Sequence, residues 1–347
     1  MNPIRPATYQ WGSVRKVRYL DEIFALVRFA NEHDGKAFDL EIFTRLLKSI
    51  RARREALRVQ LFQGGTRKAL RSLGDPGAKT YSFIASDVLS FAKGLGILQL
   101  KGSQVFCPTE VRHLAELLDQ NLGEAKRRII ALILDSKYRA YQLLLGRLQE
   151  LEGTLRLSIS DGSSSRGASL RIFLEGQGIM TDPASFYTMR DLLYNLELLN
   201  WRVDPSSKSE EVFMTSAFVG QNEIVRRVFQ DEIELQRSRL HFRPMIAAED
   251  FARSLLDSYL LITHRQMGPL AQILDAREMV CVELRISDQQ FSDLLSQLYR
   301  EPSRLFRLEL SEGTIPYRGG LLIKALTLPS IREGSLLTYF RLRRPPT

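Results

Sequence analysis

Cysteine and histidine are scarce in this chain, and neither falls at a metal-binding spacing. The two cysteines, Cys107 and Cys281, lie far apart and neither belongs to a CxxC pair. The four histidines show no HxH or HExxH spacing. Disulfide scaffolds and structural zinc sites depend on such spacings. The sequence therefore predicts a reducing compartment and argues against a disulfide framework or a zinc site, and we expect no bound metal.

Long apolar runs and a signal sequence are also missing. A bilayer-spanning helix takes about 20 apolar residues, whereas the longest strongly apolar run covers only residues 129–134. The N-terminal residues, Met1-Asn2-Pro3, do not lead into the apolar core of a signal peptide. We therefore expect a soluble, cytoplasmic protein that makes no membrane contact.

Signatures of nucleotide binding and catalysis are absent or broken. The segment Gly-Ala-Lys-Thr at 77–80 resembles the end of a P-loop, but Leu73 stands where the first glycine belongs. A metal-dependent nuclease is the weakest alternative, because Asp275, Glu283 and Arg285 border a predicted strand over 279–286. The lysine that such sites commonly use is missing, and arginine cannot act as a base. We predict no catalytic residue and no cofactor.

The chain does have a globular composition with an excess of positive charge. Its 347 residues, 44% of them hydrophobic and 26% charged, leave room for two or three domains with ample core. Lys and Arg number 49 against 40 Asp and Glu, a net charge of +9. A charge excess of this sign favours a polyanionic partner.

Most of that excess lies in one window, residues 45–79, which carries ten basic residues against two acidic ones and therefore +8 of the +9. Its first part continues a helix predicted from Asp39, whose apolar side chains from Phe43 to Leu61 share one face. Basic side chains that neutralise phosphates release counterions, although a solvated helical face remains the alternative. The predicted phosphate contacts in this window are Arg45, Lys48, Arg51, Arg53, Arg54, Arg58, Arg67, Lys68, Arg71 and Lys79.

A helix followed by two strands recurs along the chain. The helices contain Asp87, Asp191 and Asp293, at offsets of 104 and 102 residues, which indicates a repeated unit. Ser86 and Ser287 stand where helix caps are expected. The strands predicted after the three helices are 97–100 with 104–107, 201–204 with 212–215, and 305–310 with 321–328, and the tail 336–342 is predicted as a last strand.

The remaining segments are mostly helical in pattern. Further helices are predicted over 21–33, 110–118, 124–134, 138–151, 222–240 and 251–274. Alternating apolar residues predict a hairpin of 155–159 with 170–174, whose polar tip contains Arg166. The predicted fold class is mainly α with small β-hairpins, an α+β protein, with three domains at 1–120, 121–220 and 221–347.

A short helix followed by a two-stranded wing resembles the winged-helix class of helix-turn-helix domains. The resemblance implies that residues 86–93, with Ser90 and Lys93 outward, enter the major groove of DNA, and that Lys101 and Ser103 of the wing contact its backbone. Arg166 is a further candidate backbone contact. The second repeat helix is less basic and is expected to pack instead of read bases.

These observations lead to two hypotheses. The first is a non-catalytic protein that binds double-stranded DNA through phosphate contacts, with low sequence specificity, as a subunit of a larger DNA-processing or defence assembly. The second is a protein–protein scaffold subunit with no direct role on DNA. Tandem winged domains serve as bridging subunits in chromosome-organising complexes and bacterial defence assemblies, so the resemblance is compatible with both.

Overall fold

Helices and small antiparallel sheets alternate along the chain in the computed structural model, so the predicted α+β class is confirmed. The structure describes residues 17, 19–63, 78–158, 183–203, 209–221, 223, 229, 231–316, 324, 327–329 and 336–344. The chain forms two compact units, one of residues 1–50 and 76–243 and one of residues 51–75 and 244–347. Within the described ranges, no helix combines the length and apolarity needed to cross a membrane.

The first repeat occupies the N-terminal part of the chain. Its elements are α1 (Leu20–Glu32), α2 (Leu40–Leu61), β1 (Phe62–Gln63), α3 (Ala78–Gly94), β2 (Gln99–Lys101) and β3 (Gln104–Phe106). Strands β2 and β3 pair as an antiparallel hairpin, and Ala37 bridges to Gln104 on the other side of β3. The predicted order of helix, break and hairpin is confirmed, and Gly96 takes a left-handed backbone at the break.

The predicted helix start at Ser86 is wrong. Helix α3 begins eight residues earlier, at Ala78, and Ser86 lies within it on the exposed side. The reason is that the apolar stripe of the helix already includes Ile84 and Ala85, both buried, so burial extends the helix past the residue that resembled a cap.

Two linked helices follow, α4 (Thr109–Gln120) and α5 (Leu122–Leu134), with the break at Asn121 as predicted. The Asn121 side chain accepts a hydrogen bond from the Glu124 backbone N–H at 3.1 Å and so caps α5.

The second repeat has the same order of elements. It consists of α6 (Ala140–Glu150), β4 (Thr154–Ser158), α7 (Pro183–Asn195), β5 (Leu199–Val203) and β6 (Ser209–Met214). The sheet order is β4-β6-β5, so β6 pairs with β5 on one side and with β4 on the other. The segment predicted to pair with 155–159, and the tip with Arg166, lie outside the described residues.

The helix predicted over 222–240 is wrong. The described residues of this segment form β8 (Asp231–Glu234) and β9 (Ser238–Phe242), which join β7 (Ser216–Gly220) in a sheet of order β7-β9-β8. The exposure of β8 alternates along the strand, since Glu232 and Glu234 face solvent and Ile233 is half-buried. The alternation of exposure, which has a period of two residues, is that of a strand, although the spacing of the apolar residues in this segment also fits a helix.

The third repeat lies in the second compact unit. Its elements are α8 (Ala248–Ile262), β10 (Ala271–Gln272), α9 (Ile273–Leu284), α10 (Asp288–Arg300), β11 (Arg307–Glu312), β12 (Ile315–Pro316) and β13 (Leu337–Arg343). Its sheet order is β10-β13-β11, and β12 pairs in parallel with β1. Ser287 caps α10 as predicted, in a capping box with Gln290.

Three predictions in this repeat are wrong. The strand predicted over 279–286 is the second half of α9, because Met279 to Leu284 is an apolar run that fits a buried helix equally well. The helix predicted over 251–274 ends at Ile262. The returning strand predicted over 321–328 is replaced by the tail strand β13, and Lys324, described within that segment, is helical.

One topology therefore recurs. In each repeat, the returning strand (β3, β6 or β13) lies in the middle of the sheet. It pairs on one side with the strand that follows the repeat helix, and on the other side with the residue or strand that follows the first helix. The first compact unit contains the first two repeats except for β1 and the part of α2 from Arg51 onward, which belong to the second compact unit together with the third repeat. The proposed boundaries at residues 120 and 220 stay a prediction.

Candidate nucleic-acid interface

The first turn of α2 is fixed by a cap and by an aromatic cluster. The Asp39 side chain accepts hydrogen bonds from the backbone N–H groups of Glu41 at 2.7 Å and Ile42 at 3.2 Å. Phe43 packs edge-on against Phe29, with ring centres 5.1 Å apart, and is fully buried. The inward face of the helix is thereby determined, and the opposite side is left to solvent.

That outer side is basic. Arg45, Lys48 and Arg53 are exposed, and Arg51 is half-buried. Among the described residues, no carboxylate lies within ion-pairing distance of Arg45 or Arg53. The guanidinium groups of these two arginines therefore keep their hydrogen-bond donors available to a phosphate.

The other predicted contacts of the basic window are not visible as side chains. Arg54 and Arg58 lie on α2 and Lys79 lies on α3, but their side chains are outside the described part of the structure. The remaining predicted contacts lie entirely outside the described residues: Arg67, Lys68, Arg71 and Arg166.

The wing of the first repeat lies beside the start of α2. The Phe38 backbone N–H donates to the Ser103 carbonyl at 2.8 Å, and the Val105 N–H donates to the Lys36 carbonyl at 2.8 Å. Lys101 and Ser103 are both exposed, and the Lys101 ammonium lies 3.6 Å from the centre of the Phe106 ring. The wing and the N-terminal end of α2 therefore form one continuous surface in the first compact unit.

The side chains of α3 that are described, from Ile84 onward, contribute little charge to this surface. Ser86, Ser90 and Lys93 are exposed, so the predicted outward direction of Ser90 and Lys93 is confirmed. Tyr138 contacts the C-terminal part of the helix, where its hydroxyl donates a hydrogen bond to the Ser90 carbonyl at 3.3 Å. A Cβ at Gly94 would come within 2.2 Å of that hydroxyl, so glycine is needed there.

The second repeat helix is core. Every residue of α7 from Thr188 to Tyr194 is buried. The Arg190 guanidinium donates to Asp191 at 2.7 Å and to Glu210, and it lies 4.0 Å from the centre of the Trp201 ring. Arg190 is thus a structural ion-pair centre and not a surface contact, which agrees with the expectation that this helix packs.

A second basic surface was missed at the sequence level. It lies on the outer face of β11 and β13 and consists of Arg307, Arg341 and Arg343. The available signal is the alternation Arg341-Leu342-Arg343 at the end of the strand predicted over 336–342, since alternate residues of a strand share a face. Arg307 is 36 residues away from Arg343 in the sequence, and only the strand register brings the two together.

The residues considered for a nuclease lie on a helix or at its end, and not beside a strand as predicted. Asp275 and Glu283 lie on α9, and Arg285 is its C-cap in a left-handed conformation. Glu283 accepts a hydrogen bond from the Ser254 hydroxyl at 2.6 Å. A search of the described residues finds no group of three or more Asp, Glu, His or Cys side chains able to hold a metal ion. The structural argument for the nuclease is therefore removed.

Both cysteines are buried thiols. Burial, followed by the charge of Asp34, raises the pKa of Cys107. Burial, followed by the charge of Asp288, raises the pKa of Cys281 well above its ordinary value. Because the thiolate is the reactive form, neither environment is that of an activated nucleophile.

Comparison with known proteins finds no protein-family model that matches the chain, and no curated protein or solved structure that is significantly similar to it.

Proposed function

We propose that this protein is a non-catalytic nucleic-acid-binding protein that contacts the phosphate backbone of duplex DNA. The observation that carries the proposal is the exposed basic side of α2, where Arg45 and Arg53 have no described carboxylate partner. Some exposed arginines elsewhere in the described chain, such as Arg112 and Arg128, form ion pairs with carboxylates. Arg45 and Arg53 instead keep their charges for an external anion.

The wing supports the same reading. The wing carries the exposed Lys101, and backbone hydrogen bonds of Ser103 and Val105 tie the wing to the segment that leads into α2. A nucleic-acid backbone that follows the helix can therefore also reach the wing. The recurrence of a helix and a three-membered sheet in all three repeats supports the proposal that they are winged-helix domains, whose wings contact DNA backbones.

The proposed binding has low sequence specificity. Direct reading of base edges needs Arg, Lys, Asn or Gln at exposed positions of the groove helix. Among the side chains of α3 that the structure describes, the exposed ones are Ser86, Ser90 and Lys93, and α7 is buried from Thr188 to Tyr194. We therefore assign the affinity mainly to phosphate contacts.

The test is the salt dependence of duplex binding by the full chain. The variant carries Arg45→Gln, Lys48→Gln and Arg53→Gln, which removes three exposed charges from α2 while keeping good helix formers. The slope of log K against log salt is negative, and each lost phosphate contact makes it shallower by about 0.9. We expect the slope of the variant to be shallower than that of the wild type by roughly 2.7, measured by fluorescence anisotropy on a labelled duplex.

The matched control removes three helical arginines that already have partners, through Arg128→Gln, Arg147→Gln and Arg253→Gln. Each of these is paired with a glutamate of its own helix. An equal slope for the wild type and the α2 variant, or an equal loss in the control, would show that α2 does not contact the phosphates.

A second candidate function is that of a scaffold subunit, and one observation in the second compact unit favours it. Leu261 and Leu270 are 67% and 59% exposed, and Met245 is 80% exposed. Leu261 also lines an open groove of about 630 Å³, together with Leu260 and His264. Apolar side chains that line a groove, as Leu260 and Leu261 do, are a feature of docking surfaces. Co-purification from native lysate tests this role, and a protein that always elutes alone would count against it.

The two roles are compatible. We propose that α2 and the wing hold DNA while the apolar surface around Leu261 holds a partner, so that the chain acts as a subunit of a larger DNA-processing or defence assembly.

A further inference from the structure

Three arginines share the outer face of the third repeat's sheet. Arg307 on β11 is directly opposite Arg343 on β13, and Arg341 is opposite Glu309 two residues further along. The inward residues of the same strands, Leu308 and Leu342, are buried, so the two faces of the sheet are cleanly separated. The outer face therefore presents an arginine ladder, defined as Arg307, Arg341 and Arg343, with one carboxylate among them.

The register of the ladder places like charges together. Directly opposite residues on paired strands have Cβ atoms about 4.5–5.5 Å apart, and like charges at such positions destabilise the sheet. Within the described part of the chain, Arg307 has no carboxylate within ion-pairing distance. The pair Arg307 and Arg343 is thus unfavourable in the isolated protein and becomes favourable when an anion lies over both.

Glu309 does not neutralise the ladder. Its carboxylate accepts from the Nε of Arg341 and lies 3.1 Å from the Nε of Arg343. The hydrogen bond from Arg341, together with the arginine charges, lowers the pKa of Glu309, so its carboxyl group is ionised at neutral pH. Three guanidinium groups against one carboxylate leave two net positive charges. Because Glu309 engages the Nε atoms, it orients the two guanidinium groups while their terminal nitrogens remain able to donate.

The guanidinium groups of the ladder are spread along the sheet. Arg341 and Arg343 are alternate residues of β13, and alternate residues on a strand are about 6–7 Å apart. Arg307 lies on the neighbouring strand, opposite Arg343. The surface therefore offers several guanidinium groups and not a single point charge.

We propose that the arginine ladder is a second phosphate-binding surface, which takes the phosphodiester backbone of a nucleic-acid duplex independently of α2. Arginine is suited to this role because its planar fork binds phosphate oxygens in pairs. The inference rests on the proposed function, since it assumes that the ligand of the whole chain is nucleic acid. It adds that the sheet of the third repeat also contacts that ligand.

The experiment compares the full-length wild type with the variant Arg307→Gln and Arg343→Gln, on duplex DNA and on duplex RNA of the same sequence. The control removes two exposed arginines away from the ladder, through Arg239→Gln and Arg253→Gln. Loss of two phosphate contacts should reduce the salt slope by about 1.8 and the affinity at moderate salt by on the order of tenfold or more. The melting temperature of the ladder variant should be unchanged or higher, because the like-charge pair has been removed.

The outcomes separate this inference from the proposed function. A wild type that binds neither duplex overturns both. The wild type could bind with the slope that depends on α2 while the ladder variant keeps the same slope and affinity. That result would overturn only the proposal that the ladder binds phosphates. A slope loss on one or both duplexes, with none in the control, supports the ladder. Wild-type binding to anionic lipid vesicles in place of nucleic acid would also overturn it.

Discussion

Replacing Arg190 by methionine should lower the free energy of unfolding of the second repeat far more than the removal of any exposed arginine does. The Arg190 side chain is only 7% exposed and the Glu210 side chain is 1% exposed, so both ends of this ion pair are buried. Asp191, its other partner, is 8% exposed. Removing one member of a buried pair leaves uncompensated charge and costs about 3–5 kcal/mol, a large share of the usual 5–15 kcal/mol of domain stability.

The cost should be relieved in part when the two carboxylates are made neutral. Without Arg190, the buried side chains of Asp191 and Glu210 lose their counter-ion. Adding Asp191→Asn with Glu210→Gln should therefore recover part of the stability that Arg190→Met removes.

Urea unfolding followed by tryptophan fluorescence measures this effect. Trp201 stacks on Arg190, and the chain has two tryptophans, so every variant should also carry Trp11→Phe to leave Trp201 as the single reporter. The control is Arg128→Met, which breaks an exposed pair with Glu124 at 3.2 Å and should cost about 0.3–0.5 kcal/mol. Similar midpoints for the two variants would refute the claim that Arg190 is an ion-pair centre of the core.

Three further predictions concern local structure. Gly94→Ala should destabilise the first repeat, because its Cβ would lie 2.2 Å from the Tyr138 hydroxyl, and the thermal shift should be smaller on a Tyr138→Ala background. Ser287→Ala removes the capping box of α10 and should cost about 0.5–2 kcal/mol in chemical unfolding. The Arg127 ion pair lowers the pKa of Asp231, so the stability it contributes is present above the ordinary value of 3.8 and is lost as the pH falls through the lowered folded-state value. Melting curves of Asp231→Asn should therefore show a weaker acid dependence than those of the wild type.

The repeated architecture could be predicted because its signals are local. Gly94 and Gly96 mark the end of α3, and Asn121 and Ser287 are caps that act on their own backbone. Where an apolar run is too short to define a period, local signals fail, as they did for Met279 to Leu284 of α9. The tail strand β13 was recognised as a strand, but its role as the returning strand depends on tertiary pairing that no local pattern carries.

The candidate site could be predicted in part for the same reason. The basic window of α2 is contiguous in sequence, so charge counting finds Arg45, Lys48 and Arg53. The buried ion pairs of Arg190 could not be predicted from the sequence, because only the fold brings Glu210 and Trp201 next to this side chain.

The central claim is that this chain binds duplex DNA through phosphates, and the salt slope of the wild type tests it most directly. The account predicts a linear fall of log K with log salt and a slope of about −0.9 for each contact, so that three contacts from α2 alone give roughly −2.7. Anisotropy titrations of a labelled duplex at several salt concentrations provide the slope. An absence of binding, or an affinity that does not change with salt, would contradict the claim.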